Sequence, residues 1–170
     1  VRKGLEFVEL LCKDALKKGL LEPFERETCP QRVAALIGYE WIWVAQYHAQ
    51  RLGLVTSGEA GLKLTNSGRR YIDALLELAY MLKGEVEWGA EAVAAALEAL
   101  TDWRAEFHSG EEMAKYAELV VEELRGLRRF PETYKWACSL MVRYDFKYME
   151  SPLGLLKRIE ALTLNSERTP

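Results

Sequence analysis

The stretch RLGLVTSGEAGLKLTNSGRRY, residues 51–71, decides how the fold is read. Leu54-Val55-Thr56 and Leu62-Lys63-Leu64 are short strand-like segments. Ser57-Gly58-Glu59-Ala60-Gly61 between them is rich in turn formers, so the pair reads as one β-hairpin. Thr65-Asn66-Ser67-Gly68 then supplies an N-cap for a long helix to about Lys83.

Upstream, the period is helical. Leu5, Val8, Leu11, Cys12, Ala15 and Leu16 follow i, i+3, i+4 spacing and predict a first helix over residues 3–19. Thr28-Cys29-Pro30-Gln31 reads as a capping box opening a short helix, Pro30 to Ile37, that stops at Gly38. A third helix is expected from Tyr39 to Leu52. Downstream, everything reads as helix. Val93, Leu97, Leu100, Arg104 and Phe107 are heptad-spaced, with Trp103 the apolar alternative to Arg104. Ser109-Gly110-Glu111-Glu112 is a second capping box. Pro131 breaks the chain, and Tyr134, Ala137, Met141, Tyr144 and Tyr148 repeat at helical spacing. Ser151-Pro152 opens a last helix through Leu162, after which a polar tail is expected to fray.

Helix, short helix, glycine turn, helix, hairpin, helix is the winged helix-turn-helix order. "RLGLV" at 51–55 and "LKLTNSGRRY" at 62–71 carry a closer likeness. The segment resembles the L-T-x-x-G-R pattern of MarR-like winged-helix regulators over about residues 5–83. The resemblance implies a mainly α fold with one small β-hairpin, in a winged helix-turn-helix domain at 1–83. A helical domain, a bundle or a dimerisation unit, would occupy 84–170. It also implies a homodimeric transcriptional regulator that binds double-stranded DNA; with no catalytic motif in the chain, no enzyme activity is expected. The alternative is an unrelated helical fold with a single hairpin.

At 100° per residue, Trp41, Ile42, Ala45, Ala49 and Leu52 share one side of the third helix and are expected in the core, with His48 at the flank. Glu40, Trp43, Tyr47, Gln50 and Arg51 share the other. In a DNA-binding winged helix that side enters the major groove: Gln50 suits adenine, Arg51 guanine or phosphate, Tyr47 phosphate and Trp43 a thymine methyl. Lys63, Arg69 and Arg70 at the base of the hairpin are placed for backbone phosphates. The face is nonetheless rich in aromatics and poor in cations. Two further readings therefore stay open: docking of a protein partner through Trp43 and Tyr47, or packing of these rings against the second half of the same chain.

The 170 residues are 49% apolar and 29% charged, which excludes disorder and a disulfide scaffold. The formal net charge of −3 hides three blocks. Residues 1–72 hold 11 basic and 8 acidic side chains, 73–124 hold 3 and 13, and 125–158 hold 8 and 3. The acidic block reads as a solvated face, or as a partner for the basic block at 125–158. That basic block interleaves Arg125, Arg128, Arg129, Lys135, Arg143, Lys147, Lys157 and Arg158 with Phe130, Trp136, Phe146 and Tyr148. The aromatics read first as core. Phosphate contact by Arg128 and Arg129, in a single-strand-binding accessory protein, is the further alternative.

No phosphate-binding, nucleophile-elbow or metalloprotease motif occurs, and Glu106 and His108 are spaced so that they do not face each other. No cofactor or metal is expected. Cys12, Cys29 and Cys138 are widely spaced and odd in number, and read as buried small hydrophobes in a reducing compartment. Cys29 has a lesser reading as a reactive thiol at a helix N-terminus. No apolar run reaches membrane-spanning length and no leader is evident, so a cytoplasmic protein is the expectation.

Overall fold

The structure, a computed structural model, describes residues 5–101, 107–143, 146 and 150–168. Among them are α1 (Glu6–Lys17), α2 (Cys29–Ile37), α3 (Tyr39–Arg51), β1 (Val55–Gly58), β2 (Gly61–Leu64) and α4 (Asn66–Leu82). Four more helices follow: α5 (Gly89–Leu100), α6 (Gly110–Gly126), α7 (Pro131–Arg143) and α8 (Pro152–Arg168). The architecture is mainly α with one antiparallel hairpin, as expected. Trp103, Arg104, Glu106, Tyr144, Lys147 and Tyr148, singled out above, lie outside the described residues.

Chain chemistry sets the boundaries. One glycine, Gly38, separates α2 from α3; its φ of +108° is a left-handed value that side chains avoid. The hairpin pairs Val55 with Leu64 and Gly58 with Gly61, so its tip is only Glu59 and Ala60, shorter than the five-residue turn read from composition. Thr65 caps α4 as expected: its hydroxyl accepts from the Gly68 N–H at 3.1 Å and donates to the Gly53 carbonyl at 2.6 Å. One side chain thereby ties the end of α3 to the start of α4.

Other expected caps differ. Thr28 has helical angles and its hydroxyl donates back to the Glu25 carbonyl at 3.5 Å, so no capping box opens α2. Ser109 does accept from the Glu112 N–H at 3.2 Å, but the Glu112 carboxylate takes the His108 N–H at 2.8 Å, one residue before the expected partner. The last helix continues six residues beyond Leu162, to Arg168. Thr163 supports this extension by returning its hydroxyl to the Ile159 carbonyl at 2.9 Å and bonding Thr133 at 3.3 Å.

The core is built around α4, which packs against both α5 and α6. Ile72, Leu75, Leu76, Leu78 and Leu82 are buried along it. Its buried Tyr71 donates to the Leu100 carbonyl at 3.0 Å, which removes the penalty of a lone hydroxyl in the interior. Ala90, Ala92, Ala94, Ala96 and Ala99 make α5 thin enough to lie close to both α2 and α4. The buried carboxylate of Glu25 serves the start of α5: Oε1 accepts from the Ala90 N–H at 3.4 Å and Oε2 from the Glu22 N–H at 3.0 Å.

Cys12 on α1 is disulfide-bonded to Cys29 in the first turn of α2, with Cα atoms 6.1 Å apart. This corrects the reading of all three cysteines as thiols. The pair is 17 residues apart across two helices, a spacing with no motif, and only the packing of α1 on α2 brings them together. The reactive-thiol reading of Cys29 falls with it. Cys138 remains a buried thiol, and burial pushes its pKa up to about 11, leaving it inert at neutral pH.

Ion pairs join the blocks of charge, though not chiefly the two expected to pair. The acidic middle is met mostly by the first half: Lys18 with Asp73 at 2.6 Å, Arg32 with Glu91 at 2.9 Å, and Arg70 with Glu111 and Glu118. From the basic end, Arg125 reaches Glu77. Arg129 turns instead to Glu160 at 3.1 Å.

Between α6 and α8, Glu123 is poorly provided for. Its Oε1 is buried without a hydrogen-bond partner among the described residues. Burial, then the neighbouring Glu160 carboxylate, holds its pKa above the ordinary value, against the smaller pull of Lys157 and Arg129. A carboxyl whose pKa is raised by folding favours the native state when protonated, and ionisation opposes folding as the pH climbs through the folded value. Glu123→Gln is therefore expected to raise Tm at pH 7, by about 2 °C, with the gain fading below the ordinary carboxyl pKa of about 4.5. Thermal melts of both proteins from pH 4 to 8 check this; an unchanged Tm difference across the range would contradict it.

Candidate nucleic-acid interface

The two sides of α3 fall as its periodicity predicts. Trp41, Ile42, Ala45 and Ala49 are buried, and His48 is half-buried. Trp43 and Tyr47 are 57% and 54% exposed, and Glu40, Gln50 and Arg51 are exposed with them. Among the described residues, the second half of the chain does not bury Trp43 and Tyr47. Tyr39 is exposed as well, so three rings follow one another at four-residue steps along one side of the helix.

Neighbours fix the end of this face. The Arg51 guanidinium lies 3.4 Å from His48 Nδ1, and the Tyr47 ring meets the His48 ring edge-on at 5.6 Å. Burial, then the nearby Arg51 charge, lowers the His48 pKa, which keeps the imidazole neutral and able to accept from Arg51. At the other edge, the Gln46 side-chain oxygen accepts the Phe7 N–H at 3.2 Å. That bond satisfies a first-turn amide of α1 and locks α3 to it.

The hairpin contributes Lys63, exposed on β2 opposite Thr56. Its aliphatic stem lies against Gly58, where a Cβ would stand 3.2 Å from Lys63 Cε. Arg51 and Lys63 form no ion pair among the described residues.

Arg69 and Arg70 are placed otherwise. Arg69 bonds Asp14 of α1 at 3.0 Å and stands 3.6 Å from Asp73. Arg70 donates to both oxygens of Glu111, at 2.6 and 2.7 Å, and to Glu118. The same contact holds the Glu118 carboxyl below its ordinary pKa. The Arg70 guanidinium borders a charged groove of about 380 Å³ between α4 and α6, which Asp73, Glu77, Glu118 and Arg125 also line. Apart from Asp73, one helical turn from Arg69, the partners of Arg69 and Arg70 stand 41 to 55 residues away in sequence, too far for any local motif to reveal. No family model, no characterised protein and no solved structure matches the chain. Exposure and charge therefore mark the site: Trp43, Tyr47, Gln50, Arg51 and Lys63 are exposed, and Arg51 and Lys63 have no carboxylate partner among the described residues, whereas Arg69 and Arg70 are committed to carboxylates.

Proposed function

We propose that residues 5–83 form a winged-helix module that binds double-stranded DNA, with α3 as the groove-entering helix and the β1–β2 hairpin as the wing. The observation that carries this reading is the exposed outward face of α3, held to α1 by Gln46 and tied at its end to α4 by Thr65, together with the exposed Lys63 on the hairpin. Gln50 suits an adenine edge, Arg51 guanine or phosphate, Tyr47 phosphate, and Trp43 a thymine methyl. Arg69 and Arg70 reach phosphate only by giving up their carboxylates, so they contribute less than their positions in sequence suggest.

With so few free cations, one copy has modest non-specific affinity, and the reading includes a homodimer that doubles the contacts. Light scattering at micromolar concentration is expected to give twice the 19.5 kDa chain mass. A regulator of this kind works in the cytoplasm, and no helix among the described residues is long and apolar enough to cross a membrane. Structural disulfides are rare in that compartment outside hyperthermophiles, so the Cys12–Cys29 bridge weighs against the cytoplasmic part of this reading.

Arg51→Glu is expected to weaken binding to a mixed-sequence duplex at least tenfold, and to reduce the slope of log K against log salt by about 0.9. Arg70→Gln is expected to leave affinity within twofold. Fluorescence anisotropy across a salt series measures both. Equal losses for the two variants would move the interface away from α3.

A second reading has its own support. Tyr39, Trp43 and Tyr47 form an aromatic stripe with few cations, and exposed Trp and Tyr are preferred anchors of protein interfaces. If the wild-type chain ignores duplex DNA at low salt, a protein partner on this stripe is the better account, and Trp43→Ala is the variant that loses it.

A further inference from the structure

We propose that the outer face of α7 binds single-stranded nucleic acid, with an unpaired base stacked on Trp136 and phosphates held by Lys135 and Arg143. The helix turns Ala137, Cys138 and Met141 into the core. At 100° per residue, Glu132, Lys135, Trp136, Ser139 and Arg143 then share the opposite side. Trp136 is 51% exposed, and Lys135 and Arg143 are exposed on either side of it. Arg143 bonds the Ser139 hydroxyl at 2.6 Å, which holds its guanidinium along the helix and leaves donors outward.

Charge distinguishes this face within the basic block. The other cations of the basic block are largely taken: Arg125 by Glu77, Arg129 by Glu160 and Arg158 by Glu150. Lys135 and Arg143 form no ion pair among the described residues, and Glu132 is the one acid on their side of α7. At the head of the helix Arg128 lies over the Tyr134 ring at 5.5 Å, on the core-facing side of α7, and so is not part of this face. Arg129, expected from sequence to act beside Arg128, is held by Glu160 and is not part of it.

An accessible indole between uncompensated cations is the chemistry of sequence-tolerant single-strand binding: the ring takes a base face and the cations track the backbone. Duplex DNA keeps its base faces stacked inside, so it offers Trp136 nothing equivalent. The face shares no residue with α3, so it stands or falls separately from the duplex reading.

The test is anisotropy of a fluorescein-labelled oligothymidine of about 16 nucleotides at about 50 mM salt and above. Trp136→Ala is expected to weaken binding about tenfold. The double variant Lys135→Glu/Arg143→Glu is expected to reduce the salt slope by about 1.4, two single-strand phosphate contacts. All three side chains are exposed, so the variants keep the fold, which circular dichroism verifies. Failure of the wild type to bind, or binding unchanged in both variants, overturns the proposal. So does an equal loss in Arg51→Glu, which would place the strand on α3. Variants that lose binding to phosphatidylserine vesicles while keeping the oligothymidine would show an anionic membrane as the occupant and overturn it too.

Discussion

Removing the Cys12–Cys29 bridge is expected to lower the stability of the folded chain by about 3 kcal/mol. A cross-link spanning 17 residues restricts the unfolded ensemble, and the closing of a loop of that size accounts for this magnitude. Both cysteines are buried between α1 and α2, so the bridge also sits where no reductant reaches it in the native state. The measurement is guanidinium unfolding of the oxidised protein, the reduced protein and the Cys12→Ala/Cys29→Ala variant. Comparing the first two isolates the bond from any packing change, and a Tm difference on the order of 10 °C is expected with it. Coincident transitions for oxidised and reduced protein, or free thiols at both positions by mass, would count against the bridge.

Gly68→Ala has an expected cost of about 3 kcal/mol for a different reason, overpacking against backbone that has no slack. A Cβ at Gly68 would lie 1.9 Å from the Leu54 carbonyl oxygen, far inside contact distance. Leu54 is pinned there because its carbonyl also accepts the Thr65 N–H at 3.0 Å, so relief requires α4 to leave the α3–β1 junction. Gly126→Ala is the internal comparison. Gly126 has helical angles and open space around its Cα, so alanine there is expected to stabilise by about 0.5–1 kcal/mol. Urea titrations should thus move in opposite directions for two glycines within helices of equal length. A Gly68→Ala variant as stable as wild type would mean that α4 does not approach Leu54 this closely.

The same glycine shows what the sequence made legible. In L-T-x-x-G-R it stands out as a pattern, yet the pattern says nothing of Leu54, the group that demands it. Element types were readable because apolar spacing is local: the buried stripe of α3 and the outward Trp43 and Tyr47 follow from a period of 3.6. Pairings between distant elements were not. Cys12 and Cys29 carry no metal or redox spacing, and the carboxylates that hold Arg70 lie on a helix whose position only packing decides. Counting charge by blocks left the acidic middle as a solvated face or as a partner of the basic end, whereas most of its ion pairs are with the first half. The extension of α8 depended on Thr163 meeting Thr133, a contact no window on the polar tail contains. What the candidate interface owes to sequence is therefore its α3 face, and what it owes to structure is the subtraction of Arg69 and Arg70.

Gly38 has a mechanical consequence. With one residue between two helices there is no slack to absorb a rotation, so a turn of α2 is delivered to α3 almost undiminished. Upstream, α2 is pinned to α1 at Cys29; downstream, α3 is clasped by Gln46 and Thr65. Fastened at these points, the segment from Cys12 to Arg51 holds Trp43 and Tyr47 in a fixed relation to α1. Lengthening the joint by a residue or two would uncouple α3 from α2 while leaving every buried contact of α3 available to it.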